Sequence, residues 1–320
     1  MSKSRNKITT IDCTLRDGGY YNNWDFDKKL VNNYMNALTK SKVDYIEIGF
    51  RNLSSSTFMG PYAYSRDRFL EKLNLSKKVN VGVMIDTKEI LNSNIGIKKT
   101  LDTLLNKKSQ SSVSLVRFAT HFSDVNSLDK IVKLTKDKGY KIAINLMQTG
   151  GKSEEQINDA TKYLSQIKEI DVLYFADSLG NMREEDIIKT ISLLRNNWFK
   201  DLGIHTHNNK GLALSNTLVA LRNGVNWVDS TVRGMGRGAG NAETEILLSE
   251  LNRIYKKNYK LDEIYQLAVD DFKKLNSQFN WGQSLLYSLA ADNNIHPTYI
   301  QEMISDPRYD DQRILEAISF

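Results

Sequence analysis

Short apolar runs alternate along the chain with amphipathic stretches, the pattern that βα units around a parallel sheet produce. Strands of such a sheet are buried on both faces, so the sequence of each strand is a nearly unbroken run of apolar residues. Eight runs of this kind follow one another, at 8–16, 45–50, 80–86, 114–120, 141–147, 172–177, 202–207 and 227–232.

A helix is predicted after each apolar run. Ser123, Ser153 and Asn181 stand where N-caps would be, and Gly139 and Gly224 stand where helices would end. The predicted helices lie near 27–41, 64–75, 88–107, 123–138, 153–169, 183–197, 211–223 and 241–255.

Eight βα units closing on themselves predict a (β/α)₈ TIM barrel in the α/β class. A doubly wound open sheet usually has fewer strands and a glycine turn for phosphate after the first, and that turn is missing here. From about residue 261 the pattern is all-helical. We expect a barrel catalytic domain over 1–258 and a helical C-terminal extension over 259–320, which packs on the barrel or on a partner subunit in a homodimer. Its candidate contacts are Trp281, Tyr287 and Tyr299.

The amino-acid composition argues against a nucleic-acid-binding, disulfide-bonded or membrane protein. The 320 residues carry a formal charge of +6, but the lysines are spread over amphipathic helices without a basic run interleaved with aromatics, so no nucleic-acid partner is expected. The single Cys13 rules out an internal disulfide. No apolar stretch has signal or membrane length, so we expect a cytoplasmic protein with no membrane partner.

Polar residues collect where the strands would end, and the carboxyl ends of barrel strands form active sites. These residues are Arg16 and Asp17 after strand one, Glu47 in strand two, Arg117 and His121 in strand four, Asp177 and Ser178 after strand six, and His205 and His207 in strand seven.

His205 and His207 are two residues apart on a strand, so both imidazoles point to the same face. Such a pair also occurs as ordinary hydrogen-bonded polar residues. Asp17 strengthens the metal interpretation, because barrel closure brings strand one near strand seven, although Asp17 could instead be a turn residue before Gly18. Two imidazoles and a carboxylate with open positions suit Mn²⁺, Mg²⁺, Co²⁺ or Zn²⁺.

Arg16 lies beside this carboxylate, where a guanidinium can stabilise an oxygen that develops negative charge. Its structural alternative is a salt bridge to Asp12 or Asp177. Strand alternation places Asp12 on the same face as Arg16, as a support residue. The glycine-rich loop 234–240 leads into Asn241 at the start of a helix, which allows close backbone approach to a ligand.

Six segments occur in an order that resembles the metal-dependent lyase and condensing-enzyme superfamily of TIM barrels, the HMG-CoA lyase-like group. The resemblance covers residues 8–250. Within the group the chain is most similar to 4-hydroxy-2-oxovalerate aldolases, and its glycine loop lacks the cysteine that HMG-CoA lyase has there. The segments are DCTLRDG at 12–18, IEIG at 46–49, VRFATH at 116–121, FADSLG at 175–180, HTHN at 205–208 and GMGRGAGN at 234–241.

The resemblance implies Asp17, His205 and His207 as metal ligands, with Asn241 as a fourth. It implies that Arg16 stabilises an enolate and that Ser178, beside Asp177, helps to bind the pyruvate carboxylate. The chain departs from the aldolase pattern after its Arg-Asp-Gly segment, where the aldolase has a catalytic histidine. Tyr20 is closest in position, and His121, Glu47 or a metal-bound water are the alternatives for the base.

The leading hypothesis is a class II pyruvate aldolase, a metal-dependent carbon–carbon lyase. The metal chelates the 2-oxo acid as its enolate forms, and the second substrate is an aldehyde, which the altered 20–23 loop suggests is larger, hydroxylated and sugar-derived. One alternative is an acyl-CoA-dependent Claisen condensing enzyme or CoA-ester lyase. The other is a catalytically inactive barrel that serves as a binding protein.

Overall fold

Eight parallel strands close into a barrel in which each strand pairs with the next along the chain and the eighth pairs with the first. The structure is a computed structural model that describes residues 7–73 and 75–319. All eight predicted strands and the TIM-barrel fold are confirmed. The strands, named β1 to β8, are Thr9–Asp12, Tyr45–Phe50, Asn80–Asp86, Val113–Thr120, Lys141–Leu146, Val172–Asp177, Asp201–Thr206 and Trp227–Ser230.

Large side chains fill the lower interior of the barrel, whereas its carboxyl-end rim is lined by polar groups. Ile11, Leu115, Val172, Tyr174 and Trp227 belong to one buried cluster inside the barrel. A much larger apolar cluster lies between the sheet and the helices. The strands are therefore buried on both faces, which is why they read as apolar runs.

Helices follow the strands around the barrel. Ser153 caps its helix as predicted, in a capping box with Gln156, and Gly139 and Gly224 adopt positive φ just after their helices end. The barrel helices are Lys28–Ser41, Asp67–Leu70, Thr87–Leu91, Ile97–Leu104, Leu128–Asp137, Glu154–Gln166, Glu184–Arg195, Ala213–Arg222 and Thr244–Tyr255.

Several predicted helix boundaries are wrong. The helix expected over 64–75 shrinks to Asp67–Leu70, and the one expected over 88–107 is broken before Gly96, whose φ is +78°. Ser123 lies in a 3₁₀ turn. Asn181 does not cap a helix, since its side chain instead donates to the Ala291 carbonyl.

Strand one is shorter than predicted, because it ends at Asp12. The Asp12 carboxylate accepts hydrogen bonds from the Thr14 amide and hydroxyl, and the Cys13 carbonyl accepts from the amides of Arg16 and Asp17. These bonds turn the chain into the short helix Thr14–Asp17. Arg16 and Asp17 therefore lie on a helical turn above β1, and the predicted shared strand face of Asp12 and Arg16 is wrong.

The all-helical C-terminal region packs on the loops of the barrel rim. Trp281 donates to the Arg233 carbonyl, Gln301 accepts from the Gly238 amide, and Lys210 pairs with Asp292. Trp281 and Tyr287 are buried within the chain, whereas Tyr299 is 63% exposed. The helices of this region are Asp262–Leu267, Ala268–Phe272 as a π turn, Lys273–Phe279, Leu285–Asp292, Pro297–Ser305 and Asp311–Ser319.

Among the helices of residues 7–73 and 75–319, none combines the length and the apolar character that crossing a bilayer requires.

Candidate metal centre

Asp17, His205 and His207 meet at the carboxyl-end rim, as the sequence predicts. Oδ2 of Asp17 lies 3.4 Å from Nε2 of His205 and 3.9 Å from Nε2 of His207. One donor atom from each residue can be chosen so that all lie within 4.8 Å of one another. Two imidazole nitrogens and one carboxylate oxygen at these separations can share a single divalent cation.

The two imidazoles are oriented by hydrogen bonds on their far nitrogens. Nδ1 of His205 lies 2.9 Å from the Asp229 carboxylate, and Nδ1 of His207 lies 2.9 Å from the Asp177 carbonyl. Each contact favours a proton on Nδ1 and leaves Nε2 with its lone pair towards Asp17. Asp229 was missed at the sequence level, although a carboxylate inside the buried run of β8 was a usable signal.

Unpartnered buried atoms support the metal interpretation. Asp17 Oδ2, His207 Nε2 and Asn241 Oδ1 are buried and have no hydrogen-bond partner among the described residues. Orphaned polar atoms of this kind are costly unless something fills the space between them. Three such atoms around one point fit a cation.

The electrostatics of the ligands also suit a cation. Burial alone would raise the pKa of Asp17, but the adjacent Arg16 guanidinium and the two imidazoles hold it well below its usual range. Burial lowers the pKa of His207 to about 3, and His205 adds to that effect. The carboxylate is therefore ionised and His207 is neutral at neutral pH, which are the forms that bind metal.

A closed ring of buried charges lies beneath the ligands. Arg16 pairs with Asp17 at 2.7 Å and with Glu47 at 2.8 Å. Arg117 pairs with Glu47 at 3.3 Å and with Asp229 at 2.7 Å. Since Asp229 contacts His205, the ring returns to the metal ligands. The alternative partners Asp12 and Asp177, considered for Arg16 from the sequence, are wrong.

The ring carries one negative charge in excess, because three carboxylates face two guanidinium groups when the imidazoles are neutral. An uncompensated buried charge is unfavourable. Burial lowers the pKa of His205, yet hydrogen bonds with Asp17 and Asp229 raise it overall, as expected for an imidazole beside excess negative charge. A divalent cation would balance it from the same position.

Asn241 lies beside the ligands but not at a helix start, since the helix begins at Thr244. It forms an isolated antiparallel bridge with His207 instead. Its Nδ2 lies 3.1 Å from Nε2 of His205 and also donates to the Thr206 carbonyl, whereas its Oδ1 has no hydrogen-bond partner among the described residues. A Cβ on Gly236 would overlap this Oδ1 and lie 3.0 Å from Asp17 Oδ2, so only glycine allows the loop to approach this closely.

Asp177 and Ser178 lie at the same rim after β6. Asp177 accepts hydrogen bonds from the backbone amides of Asn181 and Met182 through Oδ1, while its buried Oδ2 has no partner. The Ser178 hydroxyl accepts from the Gln148 amide, so its own proton can be donated elsewhere. Both residues thus keep a polar atom available.

The other predicted site residues lie at different depths. Glu47 is fully buried and held between two arginines. Tyr20 lies near the rim, with its ring packed edge-on against Trp24. His121 follows β4 and lines a cleft of about 460 Å³ together with Met147, Lys152 and other residues. Glu47 is thus enclosed by ion pairs, Tyr20 lies on the turn that follows Asp17, and His121 lines a cleft that does not include Asp17, His205 or His207.

Glu245 fixes the start of the glycine loop and predicts a pH effect on stability. Its carboxylate accepts the Arg233 amide, and Arg233 has a φ of +50°. Burial raises the pKa of Glu245 to about 7, so the folded state holds this proton more tightly than the unfolded state. The proton's stabilisation is complete below the unfolded pKa and is lost as the pH rises through the folded value.

We therefore expect wild type to lose about 3 kcal/mol of stability relative to the Glu245→Gln variant between pH 4.5 and pH 8. Urea unfolding of both proteins across this range measures the difference. Glu316→Gln, an exposed substitution in the last helix, is the matched control and should follow wild type. A constant difference between wild type and Glu245→Gln would contradict this assignment.

Comparison with known proteins gives a consistent picture. The HMGL-like family profile matches residues 75–270. A 4-hydroxy-2-oxovalerate aldolase of Brevibacillus brevis is 31% identical over 269 residues, which is 82% of this chain and 75% of that protein. The enzyme of the same name from Pelotomaculum thermopropionicum is 30% identical over 274 residues, 85% of this chain and 75% of its own.

A solved structure of the N-terminal domain of a proposed aldolase from Bacteroides vulgatus superimposes with a TM-score of 0.83 at 28% identity. The match covers 97% of this chain and 100% of that one. The predicted resemblance is thus confirmed.

Proposed function

Because the chain belongs to the HMGL-like family, we propose that it is a class II pyruvate aldolase that makes or breaks a carbon–carbon bond between pyruvate and an aldehyde. The observation that carries the proposal is the convergence of Asp17, His205 and His207 above a buried ring with one excess negative charge. The complete donor set supports an active enzyme rather than a barrel that has lost catalysis.

Asp17, His205 and His207 would hold the ion, with Asn241 Oδ1 as a fourth donor, and we propose Mn²⁺ or Mg²⁺. When bound, a divalent cation there supplies Lewis-acid polarisation of the 2-oxo acid. Asp229 and the Asp177 carbonyl keep the two imidazoles in the correct tautomer and orientation.

Arg16 is the proposed stabiliser of the enolate. Its Nη1 and Nε are committed to Asp17 and Glu47, whereas its buried Nη2 has no partner among the described residues. A fixed donor of this kind is most useful where charge develops during the reaction. Glu47 then acts as a positioning residue that holds Arg16 and Arg117, in place of the base considered from the sequence.

We propose that Ser178 contacts the pyruvate carboxylate and that Asp177 contacts an oxygen of the bound 2-oxo acid. The Ser178 hydroxyl can donate to a carboxylate oxygen because its lone pair already accepts the Gln148 amide. Burial raises the pKa of Asp177 to about 7, so in its protonated form the unpartnered Oδ2 at the same rim can donate to a substrate oxygen. These contacts would fix the 2-oxo acid so that its methyl or methylene carbon faces the aldehyde.

Cleavage requires a base for the hydroxyl of the 4-hydroxy-2-oxo acid. As that proton leaves, the C3–C4 bond breaks, the aldehyde departs and the bonding electrons pass to the pyruvate enolate, which is then protonated. We assign the proton transfer to the rim side chains Tyr20 and His121, since Glu47 is enclosed by ion pairs.

Deuterium exchange at the pyruvate methyl group tests this function without knowledge of the aldehyde. Protein loaded with Mn²⁺ is expected to exchange these protons in D₂O, and protein treated with a chelator is not. A lack of metal-dependent exchange would contradict the proposal. Thiol release from acetyl-CoA in the presence of 2-oxo acids, measured in parallel, would instead favour the Claisen condensing enzyme or CoA-ester lyase.

We also propose a cytoplasmic homodimer with residues 1–258 as its catalytic barrel and 259–320 as its helical extension; residues 1–6 and Phe320 lie outside the described residues. Support comes from the exposed apolar side chains of the extension, Leu285 at 67% and Tyr299 at 63%. Cys13 is free and buried, as suits a reducing compartment.

A further inference from the structure

Arg237 lies in the middle of the glycine loop and has no counter-charge among the described residues. The other arginines near the metal centre, Arg16 and Arg117, each pair with two carboxylates. Within residues 7–73 and 75–319, no carboxylate lies within the 4.0 Å ion-pair distance of the Arg237 guanidinium, and its Nε is buried without a hydrogen bond. A partly buried cation without a partner is costly unless a ligand supplies the anion.

The guanidinium of Arg237 lies over the ring of Tyr20, on the turn that follows Asp17. Its Cζ lies 5.0 Å from the centroid of the Tyr20 ring. Arg237 directly follows Gly236, whose backbone comes so close to Asp17 and Asn241 that a Cβ there would lie 3.0 Å from Asp17 Oδ2, so Arg237 extends from backbone beside the candidate metal centre.

Tyr20 provides a platform for the guanidinium. Stacking on an aromatic face holds an arginine in place while its N–H edge stays free for an oxyanion. The Tyr20 ring is itself fixed by edge contacts with Trp24 at 4.8 Å and Phe50 at 6.4 Å. Trp24 in turn donates to the Arg16 carbonyl. The platform is thus built from the turn that carries Arg16 and Asp17.

The loop around Arg237 is held on both sides. Gly236 approaches Asp17 and Asn241 so closely that a Cβ would clash there. The Gly238 amide donates to Gln301, and the Gly238 carbonyl accepts the Tyr21 hydroxyl. Since the backbone on either side of Arg237 is fixed, only the side-chain torsions of Arg237 can change the position of its guanidinium relative to the candidate metal ligands.

Resting on the proposed function, we propose that Arg237 determines specificity by binding an anionic group, a carboxylate or a phosphate, on the aldehyde substrate. The pyruvate end has its own contacts in Ser178, Asp177 and the metal ligands, whereas Arg237 lies beside Tyr20 at the rim. An aldehyde whose carbonyl is at the metal centre would extend its far end towards this guanidinium. The inference deepens the aldolase assignment by naming the substrate class.

The test compares aldehydes that differ in an acidic group. Succinic semialdehyde is paired with butanal, and glyceraldehyde 3-phosphate with glyceraldehyde, each assayed with pyruvate and the Mn²⁺-loaded protein. Wild type is expected to prefer the acidic member of one pair, which identifies carboxylate or phosphate as the group bound. In Arg237→Met the ratio of kcat/KM for the acidic over the neutral aldehyde should fall about 10- to 100-fold, mostly through KM.

Two further variants sharpen the comparison. Arg237→Lys keeps the charge but not the planar fork, so it should retain part of the preference. Arg222→Met is the matched control, because Arg222 is exposed at the end of the helix Ala213–Arg222, and its ratio should equal that of wild type. Pyruvate deuterium exchange is measured on the same wild-type preparation.

The outcomes distinguish a failure of the aldolase function from a failure of the proposed role of Arg237. No metal-dependent exchange overturns the aldolase function itself. Exchange without a preference for either acidic aldehyde, or without any aldol product from them, overturns only the role of Arg237. An increase in the pyruvate KM of exchange in Arg237→Met, with the aldehyde preference retained, would show that Arg237 binds pyruvate and would also overturn it.

Discussion

Asp17→Asn is expected to lose the divalent cation and most of the activity. The substitution preserves shape but removes one of the three carboxylates of the buried ring, so two guanidinium groups then balance two carboxylates and no negative excess remains to attract a cation. Lewis-acid stabilisation is worth several kcal/mol, which corresponds to a fall in kcat on the order of 10³-fold.

Elemental analysis after dialysis against Mn²⁺ measures the metal content, and the pyruvate exchange rate measures activity. Asp129→Asn is the matched control, because Asp129 forms an exposed i,i+4 pair with Lys133 that contributes little to stability. Full metal content in Asp17→Asn, with a rate near that of wild type, would refute the assignment of Asp17 as a ligand.

Arg16→Lys is expected to lower kcat by about 10²- to 10³-fold, the usual effect of removing one fixed donor from a developing oxyanion. Arg16 makes two ion pairs and still presents a free Nη2. A lysine ammonium keeps the positive charge but lacks the planar guanidinium that directs separate N–H groups to Asp17, to Glu47 and to the substrate oxygen. The loss should appear in kcat with little change in the pyruvate KM.

Folding and metal content must be checked in the same variant. Because lysine keeps a positive charge between Asp17 and Glu47, the variant should fold and retain stoichiometric Mn²⁺, as thermal unfolding with and without the ion will show. A kcat within a factor of a few of wild type in a folded, metal-loaded Arg16→Lys protein would contradict the proposed role of Arg16.

The barrel and the convergence of Asp17, His205 and His207 were predictable because both follow from short-range patterns. A strand buried on two faces must be apolar, so eight runs gave eight strands. Alternation along β7 placed the rings of His205 and His207 on one face, where their centroids lie 4.9 Å apart. Strand order in a closed barrel then determined that β1 and β7 lie close enough for Asp17 to join them.

What could not be predicted depends on side chains distant in sequence. The pairing of Arg117 with Asp229 joins residues separated by 112 positions and requires the actual packing inside the barrel. The early end of β1 arises from the Asp12 carboxylate, which competes with the strand for the Thr14 amide. The position of Arg237 depends on Gln301, 63 positions after the amide of Gly238 that it accepts.

The position of the C-terminal region on the barrel also became apparent only from contacts. Its sequence predicts helices and aromatic contacts but not which surface they cover. In the structure the region contacts the loops that carry Tyr20, Arg233 and Gly238, so it supports the site from above. The proposed anion contact of Arg237 therefore depends on both parts of the chain.

A crystal structure of the protein grown with Mn²⁺, with the ion located by its anomalous scattering, tests the central claim most directly. We expect one ion about 2.0–2.3 Å from Oδ2 of Asp17 and from Nε2 of His205 and His207. A crystal grown with saturating Mn²⁺ that shows no anomalous peak between these three atoms, or that has the ion bound only elsewhere on the chain, would contradict the account.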